Sequence, residues 1–550
     1  MGETVQVTEI GCRPAADRAR RLARAAFTAA SVTGDLRAAE DLLARAIRTD
    51  PEQTPENAIA ASYLLISAAG DVATAHHLLT TADAVSGGNA RTIPRDRDAA
   101  LRALAHVCQA GGHAELWQAM RHQLGPQQDP GRATGYPSVA ALTATLADPA
   151  RVPPGVLARL DAEVAALAYG ADPDRVTGVA AAGIYVDRLP ACRHALSRVA
   201  RDERAAGHAV PVIHASTLLA LAAYQTGQWD EAQRLAEATV TECGAHGYRL
   251  QQEVSRLTTA FVAADRGDAG LARELADEVI RWAAPRGARR LHAAGRWAIT
   301  RAALAESDFE AAYHYAVSIS PPGELASHEP NALWGLLDLV EAAVRTGRRR
   351  EAAAHVTAVR DAGAASLSPR LALLAATAEA MVAADDEAGA AFGRALAIRG
   401  VEQWPFDLAR AQLLGGERLR RARGMQEDIP VAAPAAASVG RDAGRVIGGA
   451  RAHLMTARDT FQRLGARTWA DRAAMELRAT GQVRQRGLVE ALTPQELEIA
   501  RLAATGLTNK QIGTRLYLSH RTVSAHLYRV FPKLGITSRA ALRDALSRQP

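Results

Sequence analysis

A chain of 550 residues that is 48% hydrophobic but only 4% aromatic has the length of roughly two to four domains and must draw its apolar content from small side chains. Indeed 124 of its residues are alanine, the best helix former and a poor strand former, which excludes an all-β fold. The net charge is +6, but residues 484–550 hold eleven Lys or Arg against four Asp or Glu, while the 483 residues before them sum to −1. A basic module on a near-neutral body points to a polyanion contact at one end; the plainer alternative is a solvated basic tail.

Several classes drop out early. No uninterrupted run of ~18 apolar residues predicts a transmembrane helix, and Met1–Pro14 lacks the basic-then-apolar pattern of a secretory signal. Cys12, Cys108, Cys192 and Cys243 have neither zinc-site nor disulfide-framework spacing, so no metal, no membrane and a reducing cytoplasmic location are expected. The two lysines are Lys510, after Asn509, and Lys533, after Pro532. Neither closes a Gly-rich loop, so no Walker P-loop is present. Abundant Ala and Arg with two lysines matches the codon usage of a GC-rich bacterial genome.

From the N-terminus, a turn residue recurs with a small residue five positions later: Gly34 with Ala39, Gly70 with Ala75, Gly227 with Ala232, Gly267 with Ala272, Ser307 with Ala312, and Gly347 with Ala352. Asp385 with Ala390 extends the series, and Gly112 and Asp187 with Cys192 fall near its phase. Intervals of about 36 to 40 residues mark stacked supersecondary units. The first unit, Gly34-Asp35-Leu36-Arg37-Ala38-Ala39 with Ala46 and Pro51, resembles a tetratricopeptide repeat, in which small residues let two antiparallel helices approach closely. The expected architecture is therefore all-α, a helical-repeat solenoid whose concave face takes a ligand or a protein partner. Trp229, Trp282, Trp297, Trp334 and Tyr313-His314-Tyr315 could line that face or be ordinary inter-repeat core. Gly125–Pro137 reads as an exposed loop and Gly424–Gly440 as a linker. The predicted domains are 1–423, the repeat body; 424–449, a linker or mobile excursion; 450–483, a helical extension and hinge; and 484–550, the basic module.

In that module Thr493, Pro494 and Glu496 form a capping box, and Gly506 stops the helix they begin. Thr508 caps a second helix, Asn509–Leu516, with Ile512 and Leu516 inward. Ser519 caps a third from His520, after a three-residue turn, and Ser538 caps a fourth, Arg539–Ser547. At 100° per residue, Val523, Leu527, Val530 and Leu534 share one stripe of the third helix, and Arg521, Ala525, Tyr528 and Pro532 lie opposite, flanked by Ser524 and Arg529. A narrow, basic, hydrogen-bonding face suits a major groove, and the short turn suits a helix-turn-helix. Pro532 should kink or end the helix.

Leu492-Thr493-Pro494-Gln495-Glu496-Leu497-Glu498, Gly506-Leu507-Thr508-Asn509-Lys510-Gln511-Ile512, Leu518-Ser519-His520-Arg521-Thr522-Val523 and Lys533-Leu534-Gly535 closely resemble the LuxR-type DNA-binding domain. The runs Phe461–Arg467, Arg478–Gly481 and Val530–Arg539 resemble the C-terminal half of large ATP-binding LuxR-family regulators of actinobacteria. The resemblance implies that Ser524, Ala525 and Tyr528 face base edges, with Arg521 or Arg529 standing in for the lysines of some relatives. It implies phosphate contacts from Thr508, Asn509, Lys510, Thr522, His526, Lys533 and Arg539, and pairing of two domains through the last helix.

Other features carry no chemistry. His76-His77 and His314 lack metal-ligand spacing, Asp385-Asp386 reads as a helix start, nothing activates Cys243 beside His246, and Gly87-Gly88 lacks the strand context of a dinucleotide fold. The expectation is a non-enzymatic, cofactor-free transcription regulator, an activator that binds double-stranded DNA as a homodimer, with RNA polymerase as a further partner. The alternatives are a scaffold whose solenoid carries the main function, and a fragment of a longer ATP-dependent regulator.

Overall fold

The computed structural model describes residues 14–51, 54–81, 94–124, 144–167, 171–427, 439–482, 492–516, 518–534, 536 and 539–547. Among them all regular structure is helical and there is no strand. Contacts divide the chain into two units, Met1–Glu476 and Leu477–Pro550.

In the first unit the recurring turn residues do what their spacing implies. Gly34, Gly70, Gly227, Gly267 and Gly347 all take positive φ, 71° to 89°, a region where a Cβ is penalised. Ser307 (61°) and Asp187 (59°) adopt it without being glycine. Where Asp follows, it caps the next helix: Asp35, Asp71, Asp268 and Asp308 accept from the backbone N–H three residues on, at 2.9–3.2 Å. The alanine five positions after each turn is 0% exposed in all six pairs, because the paired helices cross there too closely for a larger side chain. Asp385 with Ala390 departs from the series. Ala384 is the N-cap in extended conformation, Ala390 is exposed, and Ala388 is buried instead. An acidic first turn, favoured by the helix dipole, replaces the left-handed turn. A second series, Gly207, Gly247 and Gly287, also with positive φ, ends the second helix of successive pairs and went unnoticed in the sequence.

The helix Pro405–Glu427 runs past Gly424, and the next helix begins at Val439. Both boundaries lie inside the expected linker, whose residues 428–438 are outside the described residues, as are the Gly125–Pro137 loop, Gly87-Gly88 and Cys12. Residues 450–476, expected as an extension beyond the repeats, belong to the first unit. Leu454, Phe461 and Trp469 are fully or nearly fully buried, and Phe406 packs against Phe461 and Trp469 with ring centroids 5.6 and 5.5 Å apart. The apolar stripe of this helix pair is too wide to leave in water.

Repeats distant in sequence also touch. His246 meets the Gly34 carbonyl, Tyr248 the Ala30 carbonyl and Arg286 the Ala69 carbonyl, at separations of 212–218 residues. Arg151 reaches Leu325 and Arg188 reaches Leu367, at 174 and 179 residues. Offsets of 212–218 and of 174–179 residues lay early helices of the first unit against later ones. A buried ionic chain runs through the first unit. Arg301 pairs bidentately with Asp265 (2.9 and 2.8 Å), Asp338 accepts from Trp297 (2.7 Å) and Arg410, Arg410 reaches Glu341 (2.7 Å), and Arg472 joins Glu341 (2.8 Å) to Glu417 (2.7 Å). Burial alone would raise the Glu341 carboxyl, but Arg472, Arg410 and Arg345 overcome it and hold it at about 2.

Candidate nucleic-acid interface

Beyond the helix Arg467–Gln482, which crosses its boundary, the described residues of the second unit form four helices, here α1 (Pro494–Ala504), α2 (Asn509–Leu516), α3 (His520–Lys533) and α4 (Leu542–Ser547), the last entered through a 3₁₀ turn at Arg539–Ala541. Each start has a local cause. Thr493 and Glu496 close a capping box on α1 (3.3 and 2.9 Å). Thr508 and Gln511 do the same on α2: Gln511 N–H donates to the Thr508 hydroxyl (3.3 Å), and Thr508 N–H to the Gln511 amide oxygen (2.8 Å). Ser519 caps α3, accepting from Thr522 N–H at 3.0 Å. Ser538 lies outside the described residues.

The turn between α2 and α3 is tight because Leu518 N–H donates back to the Gly513 carbonyl at 2.8 Å. A Cβ at position 513 would sit 2.6 Å from the Leu518 carbonyl oxygen, so glycine permits the approach. That turn sets the rotation of α3. Val523 and Val530 are 0% exposed and Leu527 4%, packed with Ile499, Ile512 and Leu542. Burying each contributes about 1.5–3 kcal/mol, which fixes the opposite face outward. Arg521, Ser524, Ala525, Arg529 and Pro532 are exposed, and Tyr528 is 65% exposed. Leu534 is only half-buried. Pro532 sits inside the last turn and the helix ends one residue later at Lys533.

The expected backbone contacts separate into two groups. Lys510 is exposed on α2, and neither it nor Arg521 nor Arg529 has an ion-pair partner among the described residues. Thr508 is exposed, with its hydroxyl donating to Gln511 at 3.0 Å. Lys533, by contrast, donates to Glu496 at 2.6 Å and, with the capping bonds from Thr493, holds the Glu496 carboxyl at about 2. Arg539 donates to the Asn509 amide oxygen at 2.6 Å and to the Leu507 carbonyl. These two cations tie elements of the unit together. Thr522 is half-buried with its hydroxyl against Ser519 (2.7 Å). His526 is half-buried, and its Nδ1 has no hydrogen-bond partner. Sequence reasoning missed the role of Asn509, whose amide nitrogen donates to the Ser524 hydroxyl at 3.0 Å. It also missed Arg515, exposed at the end of α2; a basic residue one turn beyond Lys510 was the available signal.

Residues 490–545 match the family model for bacterial regulatory proteins of the luxR family. The second unit carries a LuxR-type helix-turn-helix domain. The chain is 40% identical over 92 residues to an HTH-type transcriptional regulator of Mycobacterium bovis, covering 15% of this chain and 10% of that protein. It is 42% identical over 53 residues to a nitrate/nitrite response regulator protein homolog of Haemophilus influenzae, covering 10% of this chain and 26% of the relative. It is 44% identical over 50 residues to the transcriptional regulatory protein LiaR of Bacillus subtilis, covering 9% and 24%. The chain thus spans between a tenth and about a quarter of the length of these relatives. The LuxR-type domain is a DNA-binding one, and α3 is the second helix of its helix-turn-helix.

In the first unit Trp229, Trp297 and Trp334 are at most 5% exposed and pack against rings of neighbouring repeats. Trp282, Tyr313 and Tyr315 are half-buried and His314 is exposed. Among the described residues no group of three or more His, Cys, Asp or Glu could hold a metal ion, and no helix is long and apolar enough to cross a membrane.

Proposed function

We propose that the protein is a cytoplasmic, sequence-specific transcription regulator, an activator that binds its operator as a homodimer and engages RNA polymerase, with the repeat unit as its sensor. The observation that carries the reading is the rotation of α3: its apolar stripe is buried at Val523, Leu527 and Val530 while Arg521, Ser524 and Tyr528 are exposed. In this reading α3 lies in the major groove. Ser524, Ala525 and Tyr528 read base edges, Arg521 and Arg529 reach guanine or flanking phosphate, and Lys510 with Thr508 and the amide-rich start of α2 fixes the register on the backbone. The ion pair of Lys533 and the hydrogen bonds that hold Arg539 leave them a smaller part in binding than their charge suggests.

Selection from a randomised duplex library tests it. Ser524→Ala and Tyr528→Ala should each relax preference at particular positions, whereas Lys510→Ala should weaken all sequences alike and reduce the salt slope by about 1. Unchanged preference in both α3 variants would refute the orientation of the helix in the groove.

A further inference from the structure

Between early and later helices of the first unit lies a cavity of about 290 Å³, the volume of about ten waters and near the lower end for small-molecule sites. Helices from Pro14–Thr28 through Pro330–Trp334 contribute to its wall. Phe27, Tyr63, Tyr185, Phe261 and Trp334 give it aromatic surface. Tyr185 and Trp334 stand 4.8 Å apart between ring centroids.

The polar lining is unevenly satisfied. Gln251 donates toward both His106 (3.4 Å) and His214 (3.3 Å). Burial holds those two imidazoles neutral, at about 3 and 4. Gln251 is 5% exposed, yet its amide oxygen has no partner; Trp334, also 5% exposed, has an unpartnered indole N–H. Arg290, whose guanidinium lies 6.0 Å from the Tyr185 ring centroid, has a buried Nη1 without a partner and no ion pair among the described residues. Arg102 and Asp174, also in the wall, offset each other and leave Arg290 as the net charge of the lining; the Glu329 carboxyl, outside the lining but within electrostatic reach of Arg290, is pushed up to about 7 by burial. A buried polar group without a partner costs about 1–3 kcal/mol, and here three such atoms belong to residues around one space.

We propose that this cavity is an effector site for a small ring-bearing organic anion, with the ring between the aromatic walls and the acidic group on Arg290. This deepens the reading of the repeat unit as a sensor and rests on it. Neutral imidazoles and a glutamine add hydrogen bonds without adding charge, so Arg290 supplies the selectivity for an anion. The volume excludes a folded partner.

The test is titration of the full-length chain, without DNA, with the fluorescent anion 8-anilinonaphthalene-1-sulfonate and its uncharged counterpart N-phenyl-1-naphthylamine. Expected are one saturable site per chain for the anion, about tenfold weaker binding of it in Arg290→Met, and unchanged binding of the neutral probe in that variant. Leu218→Trp fills the cavity and should abolish both signals; Ala181→Leu is a smaller fill should the first fail to keep the wild-type melting curve. Absence of a saturable site, or filling variants that melt normally and bind as wild type, overturns the proposal. Equal loss of both probes, or of neither, in Arg290→Met overturns the anion assignment. Because no DNA is present, failure here leaves the helix-turn-helix reading standing, and a failed library selection leaves this result standing.

Discussion

Gly513→Ala sets two effects against each other at the turn that orients α3. Helix propensity favours alanine over glycine by about 1 kcal/mol inside a helix, and position 513 lies inside α2. Against this, the added Cβ would stand 2.6 Å from the Leu518 carbonyl oxygen and 3.4 Å from the His520 nitrogen, where ordinary contact begins at 3.4 Å. The Leu518 oxygen is a backbone atom, so no side-chain rotation relieves the clash and the turn must give by about 0.8 Å. Overpacking of this kind costs about 1–3 kcal/mol, and a rigid obstacle belongs in the upper half of that range. The steric effect wins, leaving a net loss of about 1–2 kcal/mol, which multiplies the opened fraction by roughly 5 to 30. Hydrogen exchange on the full-length chain reads this directly: amides of 492–547 that exchange by opening of the whole unit should speed up by that factor while those of the repeat unit stay unchanged. Slower exchange in the alanine variant would mean that propensity governs and that the α2–α3 turn is not tight.

Other perturbations follow from the same structure. Arg410→Met leaves Asp338 and Glu341, each fully buried, short of a counter-ion and should cost about 3–5 kcal/mol, seen as faster exchange in helices Leu336–Arg345 and Pro405–Glu427. A stability equal to wild type would show that Arg301 and Arg472 suffice. For Glu496 the folded pKa lies below its usual 4.5, at about 2, chiefly through the bond from Lys533. Its contribution is complete above 4.5 and is lost as pH falls from there toward 2. Denaturation of the second unit followed by NMR should lose stability across that window in the wild type, and Glu496→Gln should remove that part of the pH dependence.

The helix-turn-helix was legible because each of its constraints is local. Caps at Thr493, Thr508 and Ser519 and a stripe at Val523, Leu527 and Val530 all act within a few residues, where the sequence displays them. The repeat phase was legible at Gly34 or Gly267 for the same reason, since a left-handed turn and a close helix crossing each select one residue type. It failed at Asp385, where an acidic helix start mimics the turn residue in composition but not in backbone. The ionic chain and the cavity were invisible. Nothing in the sequence marks Arg301, Asp338, Arg410 and Arg472 as buried, because their partners come from helices distant along the chain, and Tyr63 and Trp334 line one cavity that no local pattern encodes. The same limit explains Lys533 and Arg539: their charge is plain in sequence, but their partners Glu496 and Asn509 lie 37 and 30 residues away.

Those partners also bear on how a base would be read. Arg539 donates to the Asn509 amide oxygen, which leaves the amide nitrogen to donate to Ser524. The Ser524 hydroxyl thus accepts from the protein and keeps its own proton to offer outward. On the proposed groove orientation it should favour an acceptor edge, such as guanine O6 or N7 or thymine O4, over the amino group of cytosine. Asn509→Asp reverses the polarity. A carboxylate keeps Arg539 and accepts from Ser524, so the hydroxyl turns its proton inward and presents lone pairs to the groove. Library selection should then move that one position toward cytosine N4 or adenine N6, with weaker binding to all sequences from the added negative charge. Asn509→Ala, which fixes neither direction, should flatten preference there without inverting it. If the aspartate variant selects the same base as wild type with undiminished discrimination, Ser524 does not read that position through its hydroxyl, and the contact belongs to Tyr528 or Arg521 instead.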